Sequence, residues 1–271
     1  MKNVILNGMD IDYKTLDKST WCRLGSGQFG RVFEGVYKNE LIVFKLMKHG
    51  VSQSIFENEV HILRQVSHPN IPKIYGYSIC HQRHIYCILM EKAVGVHLFH
   101  YVHHYDVPVV SKYDIGKQIL ETLDFIHSKR ILYRDLKPDN IIVHPTLRKI
   151  MLVDLGLAIQ FPDTKECMTR GVAGTPGYMA PEVIDGRYYS FTADIYSFGV
   201  VMYFLFTECE HMKPSTMRHK LRNKNNALRY LILSCTHPNL SKRIQTTRHV
   251  LDMYPVYVPP SRWTTLFCCR L

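Results

Sequence analysis

What this sequence lacks removes several classes of explanation. No apolar leader opens it: Met1 to Ser19 is mixed polar, and a secretory signal is not expected. The apolar stretch from Phe198 to Phe206, nine residues flanked by Asp194 and Glu208, falls far short of the ~20 that a bilayer crossing takes. Internal repeats and low-complexity runs are absent. The eight cysteines, Cys22, Cys80, Cys87, Cys167, Cys209, Cys235, Cys268 and Cys269, show no metal-ligand spacing and fall mostly in apolar stretches. That argues against a zinc module and suits reduced thiols in an intracellular protein, in cytoplasm or nucleus. Carboxylates are scarce, 23 Asp plus Glu against 34 Lys plus Arg, a net charge of +11. The longest basic cluster, Met217 to Lys224, lacks the interleaved aromatics of a base-stacking platform and reads as a solvated helix face. Steering of acidic protein substrates or nuclear import are its remaining uses, and no specific nucleic-acid partner is expected.

What is present is concentrated in two short stretches, Tyr133-Arg134-Asp135-Leu136-Lys137-Pro138-Asp139-Asn140 and Asp154-Leu155-Gly156. Moving a γ-phosphoryl group to a hydroxyl calls for a carboxylate to hold that hydroxyl, a cation over the migrating charge and two oxygen ligands for Mg²⁺. Asp135, Lys137, Asn140 and Asp154 match those roles in order. The two stretches closely resemble the catalytic and metal-binding loops of eukaryotic-type serine/threonine protein kinases, and the resemblance runs over roughly residues 20 to 252.

The resemblance implies further parts in fixed order. Upstream lies Gly25-Ser26-Gly27-Gln28-Phe29-Gly30-Arg31-Val32, whose glycines let backbone amides approach phosphates. The β-branched and aromatic run Val32 to Tyr37 predicts a strand after these glycines, not the helix of a dinucleotide-binding motif. A turn at Lys38-Asn39-Glu40 leads to the strand Leu41 to Lys45. A lysine ending a strand is usually only solvated; the resemblance makes Lys45 the phosphate-binding lysine. In Ser54 to Val66, Ile55, Ile62, Leu63 and Val66 repeat at helical intervals, and Phe56, Glu59 and Leu63 share the inward half. An acid there is costly unless paired. By resemblance Glu59 pairs Lys45, the bland alternative being a boundary charge, which suits Glu57 better.

Ile85 to Ala93 resembles the strand and hinge that join the two lobes, with adenine meeting the backbone from Glu91 to Ala93. Met90 aligns beside that pocket, although a methionine at a strand end is also ordinary core filling. Val32 and Val43 would cover one face of the base and Ile142 the other. Where Val43 stands, the family usually has alanine. Gly174 to Glu182 closes an activation segment that begins at Asp154. There the resemblance implies that Thr175 contacts Asp135, that Arg134 can grip a segment phosphate, and that Glu182 pairs Arg243. Gly171 occupies the usual phosphoacceptor position, so Thr169 is the nearest candidate, with a constitutively ordered segment as its rival. Asp194, in the apolar helix Thr192 to Phe206, is implied as a buried anchor of the catalytic loop. Tyr133 and Leu155 replace the family's usual histidine and phenylalanine and align, with Leu63 and Ile74, in an apolar stack linking the lobes.

At 271 residues and 46% apolar the chain can bury a sizeable core. The expectation is therefore one α+β kinase domain over residues 1–271 with a bilobal fold. A small antiparallel-sheet lobe with one main helix (about 14–91) and a hinge (91–94) precede a mainly helical lobe (about 95–254), in which the interval from Glu208 to Arg243 holds a reduced set of helices. A short tail (255–271) follows. The cofactors implied are ATP and Mg²⁺, and the partners are protein substrates with Ser/Thr acceptors and an activating protein. A pseudokinase scaffold is the rival reading. Cys268-Cys269-Arg270-Leu271 has the outline of a lipidation box, weakened by arginine at the penultimate position; membrane attachment is not expected.

Overall fold

The computed structural model describes residue 11 and residues 16–80, 85–164, 166–210 and 214–257. Cys268 and Cys269 lie outside them. Strands form where the β-branched and aromatic runs predict them: β1 (Cys22–Ser26), β2 (Gly30–Tyr37) and β3 (Glu40–Met47). Lys38 and Asn39 both have positive φ, 51° and 65°, the geometry that closes a two-residue hairpin between β2 and β3. The helix α1 (Gln53–Gln65) turns its Phe56, Glu59, Val60 and Leu63 inward and packs against β4 (Ile74–Cys80) and β5 (Ile85–Glu91). The five strands form one antiparallel sheet in the order β1-β2-β3-β5-β4.

Beyond Glu91 the chain becomes mainly helical. A two-residue strand β6 (Val96–His97) leads into α2 (Leu98–His104) and α3 (Val109–Ser128). Short pairings then shape the loops: β7 (Ile131–Leu132), β8 (Ile141–Val143), β9 (Ile150–Leu152), β10 (Ile159–Gln160) and β11 (Thr169–Arg170). They are followed by α4 (Pro181–Ile184), β12 (Tyr188–Tyr189), α5 (Thr192–Thr207), α6 (Pro214–Lys220), α7 (Asn226–Cys235) and α8 (Thr247–Tyr257). Strands β6, β8 and β9 form a small sheet, β7 pairs with β10, and β11 with β12. Every residue of α5 from Thr192 to Phe206 is buried, so this helix is the axis of the lower lobe, with α3 and α7 against it. Among the described residues no helix is long and apolar enough to cross a membrane.

One apolar cluster runs through both lobes, from Phe56 and Leu63 on α1 to Phe198 and Leu205 on α5. Leu63, Ile74, Tyr133 and Leu155 all belong to it. The interval from Glu208 to Arg243 holds α6, α7 and a 3₁₀ turn at Leu240–Lys242 among its described residues. The basic cluster departs from a simple helix face. The helix stops at Lys220, and Arg222 and Lys224 lie on a turn whose amides bond the carbonyls of His219 and Leu221. Asn225 caps the next helix by accepting the Ala227 N–H at 2.8 Å, which fixes where the chain must leave the first. Helix α8 continues past residue 254, where the lower lobe was expected to end.

Close helix approach depends on Gly199 of α5. A Cβ there would stand 2.6 Å from Thr236 Cγ2 and 2.7 Å from Cys235 Cβ at the end of α7. Gly199→Val should therefore lower stability by about 1–3 kcal/mol through overpacking. Urea denaturation should show an earlier midpoint at an unchanged slope; an unmoved midpoint would mean that α5 and α7 are not in tight contact.

Candidate active site

Several of the residues singled out in the sequence meet where the sheet faces the loops of the lower lobe, with Lys45 Nζ 2.7 Å from Asp154 Oδ1. β2 and β3 are paired with Val32 opposite Lys45, and β3 and β5 with Val43 opposite Met90. This register sends the Lys45 side chain inward, where it is 5% exposed. Its Nζ donates to Glu59 Oε1 at 2.6 Å and to Asp154 Oδ1 at 2.7 Å. Burial alone would push the Lys45 ammonium down, but the two carboxylates overcome it and hold Lys45 above the usual lysine range. Burial likewise pushes the Glu59 carboxyl up, with Lys45 opposing. At Asp154 the balance is reversed. Burial raises it, yet Lys45, the Gly156 N–H and Lys137 together keep it below the ordinary carboxylate range.

The glycine turn closes over this charge cluster. The Gly27 N–H donates to the Gly30 carbonyl at 2.9 Å, and Lys48 Nζ donates to the Gly27 carbonyl at 2.6 Å. A Cβ on Gly27 would lie 3.6 Å from Asp154 Oδ2, in ordinary contact, so the turn lies close over that oxygen. Phe29 reaches under the turn toward Gly156. Gly25, Ser26 and Gln28 complete the turn. Val43 and Ile142 are 8% and 9% exposed, and Val32 and Met90 are half-buried, Met90 paired opposite Val43. Glu91 is spoken for, its N–H bonding the Lys73 carbonyl and its Oε2 the Lys73 N–H. Ala93 lies half-buried two residues further along the hinge.

The catalytic-loop side chains form a second group. Both Asp135 oxygens are held: Oδ1 accepts from Thr175 Oγ1 at 2.6 Å, and Oδ2 from Asn140 Nδ2 at 2.9 Å. Lys137 Nζ lies 3.0 Å from Oδ2 and donates to Thr175 Oγ1 at 2.6 Å. The loop backbone is pinned from below. Asp194, fully buried, accepts the Tyr133 and Arg134 N–H groups at 2.8 Å each. Arg134 has φ 70°, a conformation that costs a non-glycine residue of order 1 kcal/mol, and these two bonds hold it there. Tyr133, in place of the family's histidine, donates its hydroxyl to the Val153 carbonyl at 2.5 Å, just before Asp154.

The activation segment is tied down at both ends. Arg134 Nε donates to the Leu157 carbonyl at 2.5 Å, and its Nη1 reaches Tyr189 Oη at 3.5 Å. Thr169 sits in the β11–β12 pairing opposite Tyr189. Glu182 and Arg243 form a buried two-pronged pair, 2.6 and 2.9 Å, with Arg243 also donating to the Thr192 and His237 carbonyls.

Several contributors escaped sequence reasoning. His127 Nε2 sits 2.8 Å from Asp194 Oδ2 and completes its shell; a lone histidine near a helix end carries no signal. Asn58 donates to the Ala158 carbonyl at 2.8 Å. Gln65 and Gln160 exchange amide hydrogen bonds at 2.8 and 2.7 Å, tying α1 to the segment after Gly156.

The protein kinase domain family model matches residues 20–270. The chain belongs to the protein kinase family. It is 29% identical to a probable serine/threonine-protein kinase of Dictyostelium discoideum over 79% of this chain and 23% of that protein. It is 34% identical to the serine/threonine-protein kinase A-Raf of Homo sapiens, over 68% of this chain and 31% of that protein. A probable casein kinase II subunit alpha homolog of Encephalitozoon cuniculi matches at 32% over 66% of this chain and 55% of that protein. The aligned region is thus well under two thirds of each relative's length. Protein kinase domains use ATP and a divalent metal, and the oxygens on this wall suit one: an Asp154 carboxylate oxygen facing the glycine turn and the side-chain carbonyl of Asn140, both hard donors.

Arg243→Ala would strand the buried Glu182 carboxylate. The expected cost is about 3–5 kcal/mol in denaturant unfolding, with partial recovery in a Glu182→Gln/Arg243→Met double variant. A loss below about 1 kcal/mol would show the pair to be solvated rather than buried.

Proposed function

We propose that this chain is an active serine/threonine protein kinase that transfers the γ-phosphoryl group of Mg·ATP to protein hydroxyls. The observation that carries the reading is the Asp135 carboxylate, fixed on both oxygens by Thr175 and Asn140 with Lys137 beside it. Lys45 faces the same cleft with its ammonium held between two carboxylates. Asp135 accepts the proton of the substrate hydroxyl as its oxygen bonds to phosphorus, and the bridging oxygen leaves with ADP. Lys137 offsets charge on the transferring group, and Lys45 holds the phosphates beneath the Gly25 to Gly30 turn. Bound on Asn140 and Asp154, Mg²⁺ would supply charge neutralisation at the phosphate oxygens. The protein's part is positioning and electrostatics, with no covalent enzyme intermediate.

Arg134 already has protein partners at Leu157 and Tyr189, and this supports an activation segment ordered without a phosphate on Thr169. Val43 beside Met90 narrows the wall where the family usually has alanine, and with the reduced interval from Glu208 to Arg243 it favours the rival reading of a nucleotide-binding scaffold.

The test is transfer of labelled γ-phosphate from Mg·ATP to generic protein substrates. Wild type should label serine or threonine, with losses of at least about a hundredfold in Asp135→Asn and Lys45→Met. Variant rates within about threefold of wild type would overturn those assignments. Nucleotide-dependent thermal stabilisation without transfer would favour the scaffold. Thr169→Ala should keep its rate within about threefold of wild type, and a larger fall would establish a phosphate switch.

A further inference from the structure

The net charge of this protein is not spread over it. Residues 211–271 contain eleven Lys plus Arg and one carboxylate, Asp252, whereas residues 1–210 contain 23 and 22. Almost the whole excess therefore belongs to the last 61 residues. Within the described part, Arg218, Lys220, Arg222 and Lys224 are exposed on the end of α6 and the turn after it, and Lys242 is exposed on the loop following α7. None of the five has an ion-pair or hydrogen-bond partner for its side chain among the described residues. Some surface cations elsewhere do have a carboxylate, as in Lys92 with Glu34, Lys112 with Glu208 and Arg187 with Asp185, and those that do not, such as Arg23, Lys73 and Lys149, are not gathered four in seven residues. Asp252 is itself taken by Arg248.

This face is presented by the fold. Met217 and Leu221 are buried, 2% and 0% exposed, and anchor the ribbon, so the cations between and after them point outward from a fixed base. One or two cations at a helix C-terminus are explained by the unpaired carbonyls there. Four in seven residues with no carboxylate nearby repel one another and lower stability. The face also lies close to the substrate platform. The Thr236 hydroxyl meets Met217 Sδ at 3.4 Å, joining α6 to the end of α7. The loop that follows carries Lys242 and Arg243, and Arg243 grips Glu182 at the base of the activation segment.

We infer that the face formed by Arg218, Lys220, Arg222, Lys224 and Lys242 docks an acidic stretch of the protein substrate, outside the residues that flank the acceptor hydroxyl. The inference rests on the proposed phosphotransfer activity for the word substrate. Charge complementarity selects a polyanion, and two observations favour a carboxylate-rich peptide over nucleic acid. Among the described residues Tyr230 is the one large aromatic side chain exposed on α6 and α7, and they form no base-stacking platform. The face is also linked structurally to the segment that would present a protein hydroxyl to Asp135.

The test uses the full chain and two peptides that share one serine acceptor and a flexible linker of about ten residues, long enough to span roughly 33 Å when extended. One ends in six glutamates and the other in six glutamines. The glutamate peptide should show a KM about tenfold lower with kcat within about twofold, an advantage that shrinks between about 50 and 300 mM salt. In the Arg218→Ala/Lys220→Ala/Arg222→Ala/Lys224→Ala variant that advantage should disappear while turnover of the glutamine peptide stays the same. The charge-reversed variant with glutamate at those four positions should instead favour a lysine-tailed peptide. Equal KM values for the two peptides with wild type would overturn the proposal. Fluorescence anisotropy of the labelled glutamate tail reads docking without catalysis. If neither peptide is turned over, the phosphotransfer reading has failed, and the anisotropy still decides the docking: binding that is lost in the alanine variant supports it, and no binding overturns it. Binding of labelled duplex DNA by this face with no binding of the glutamate tail would overturn it in favour of nucleic acid.

Discussion

The Lys45 ammonium cannot remain where it is without company. Removing such a charge from water costs several kcal/mol, and only close, hydrogen-bonded counter-charges offset that cost. Glu59 from α1 and Asp154 from the lower lobe supply them at 2.6 and 2.7 Å. One buried cation therefore joins β3, α1 and the loop after β9, three elements that the chain delivers from distant positions. If α1 turned outward, Glu59 would leave and Lys45 would have one carboxylate for its buried charge. Apolar packing brings these elements together without direction, and the charge cluster fixes their rotation.

The lower lobe repeats the device with backbone groups. Asp194 is buried within the apolar α5 because two amides and His127 occupy its oxygens. In return it holds the catalytic loop in a conformation that Arg134 would not adopt alone. Glu182 and Arg243 do the same for the far end of the activation segment. The loop thus stands between two buried posts, and the Asp135 carboxylate is held on both oxygens by Thr175 and Asn140. Tyr133 shows how a departure from the family pattern is absorbed: its hydroxyl reaches a carbonyl beside Asp154 and ties the two loops directly.

Much of this was legible in the residues. Glu59 was recognisable because helical period placed it on the same side as Phe56 and Leu63, where an unpaired acid is costly. The turn at Lys38-Asn39, the strands on either side and the buried run of α5 followed from period and residue type. His127, Asn58 and the Gln65–Gln160 exchange were not legible. They are single polar residues with no period of their own, and Gln65 and Gln160 meet across 95 residues of sequence. The end of α6 was also misplaced, since the basic run continues without a break while Asn225 starts a new helix.

By itself the sequence determined the order and chemical type of the groups: the glycine turn, the lysine at a strand end, the acid on a helix, the two loops with their carboxylates and the concentration of basic charge near the carboxyl end. Those features reside in spacing and local periodicity, which act between neighbours along the chain. Only the tertiary structure decided which carboxylate each cation takes, which oxygens are held, and which face the unpaired cations share. Partner choice among charges depends on burial, and burial is set by how distant elements pack together.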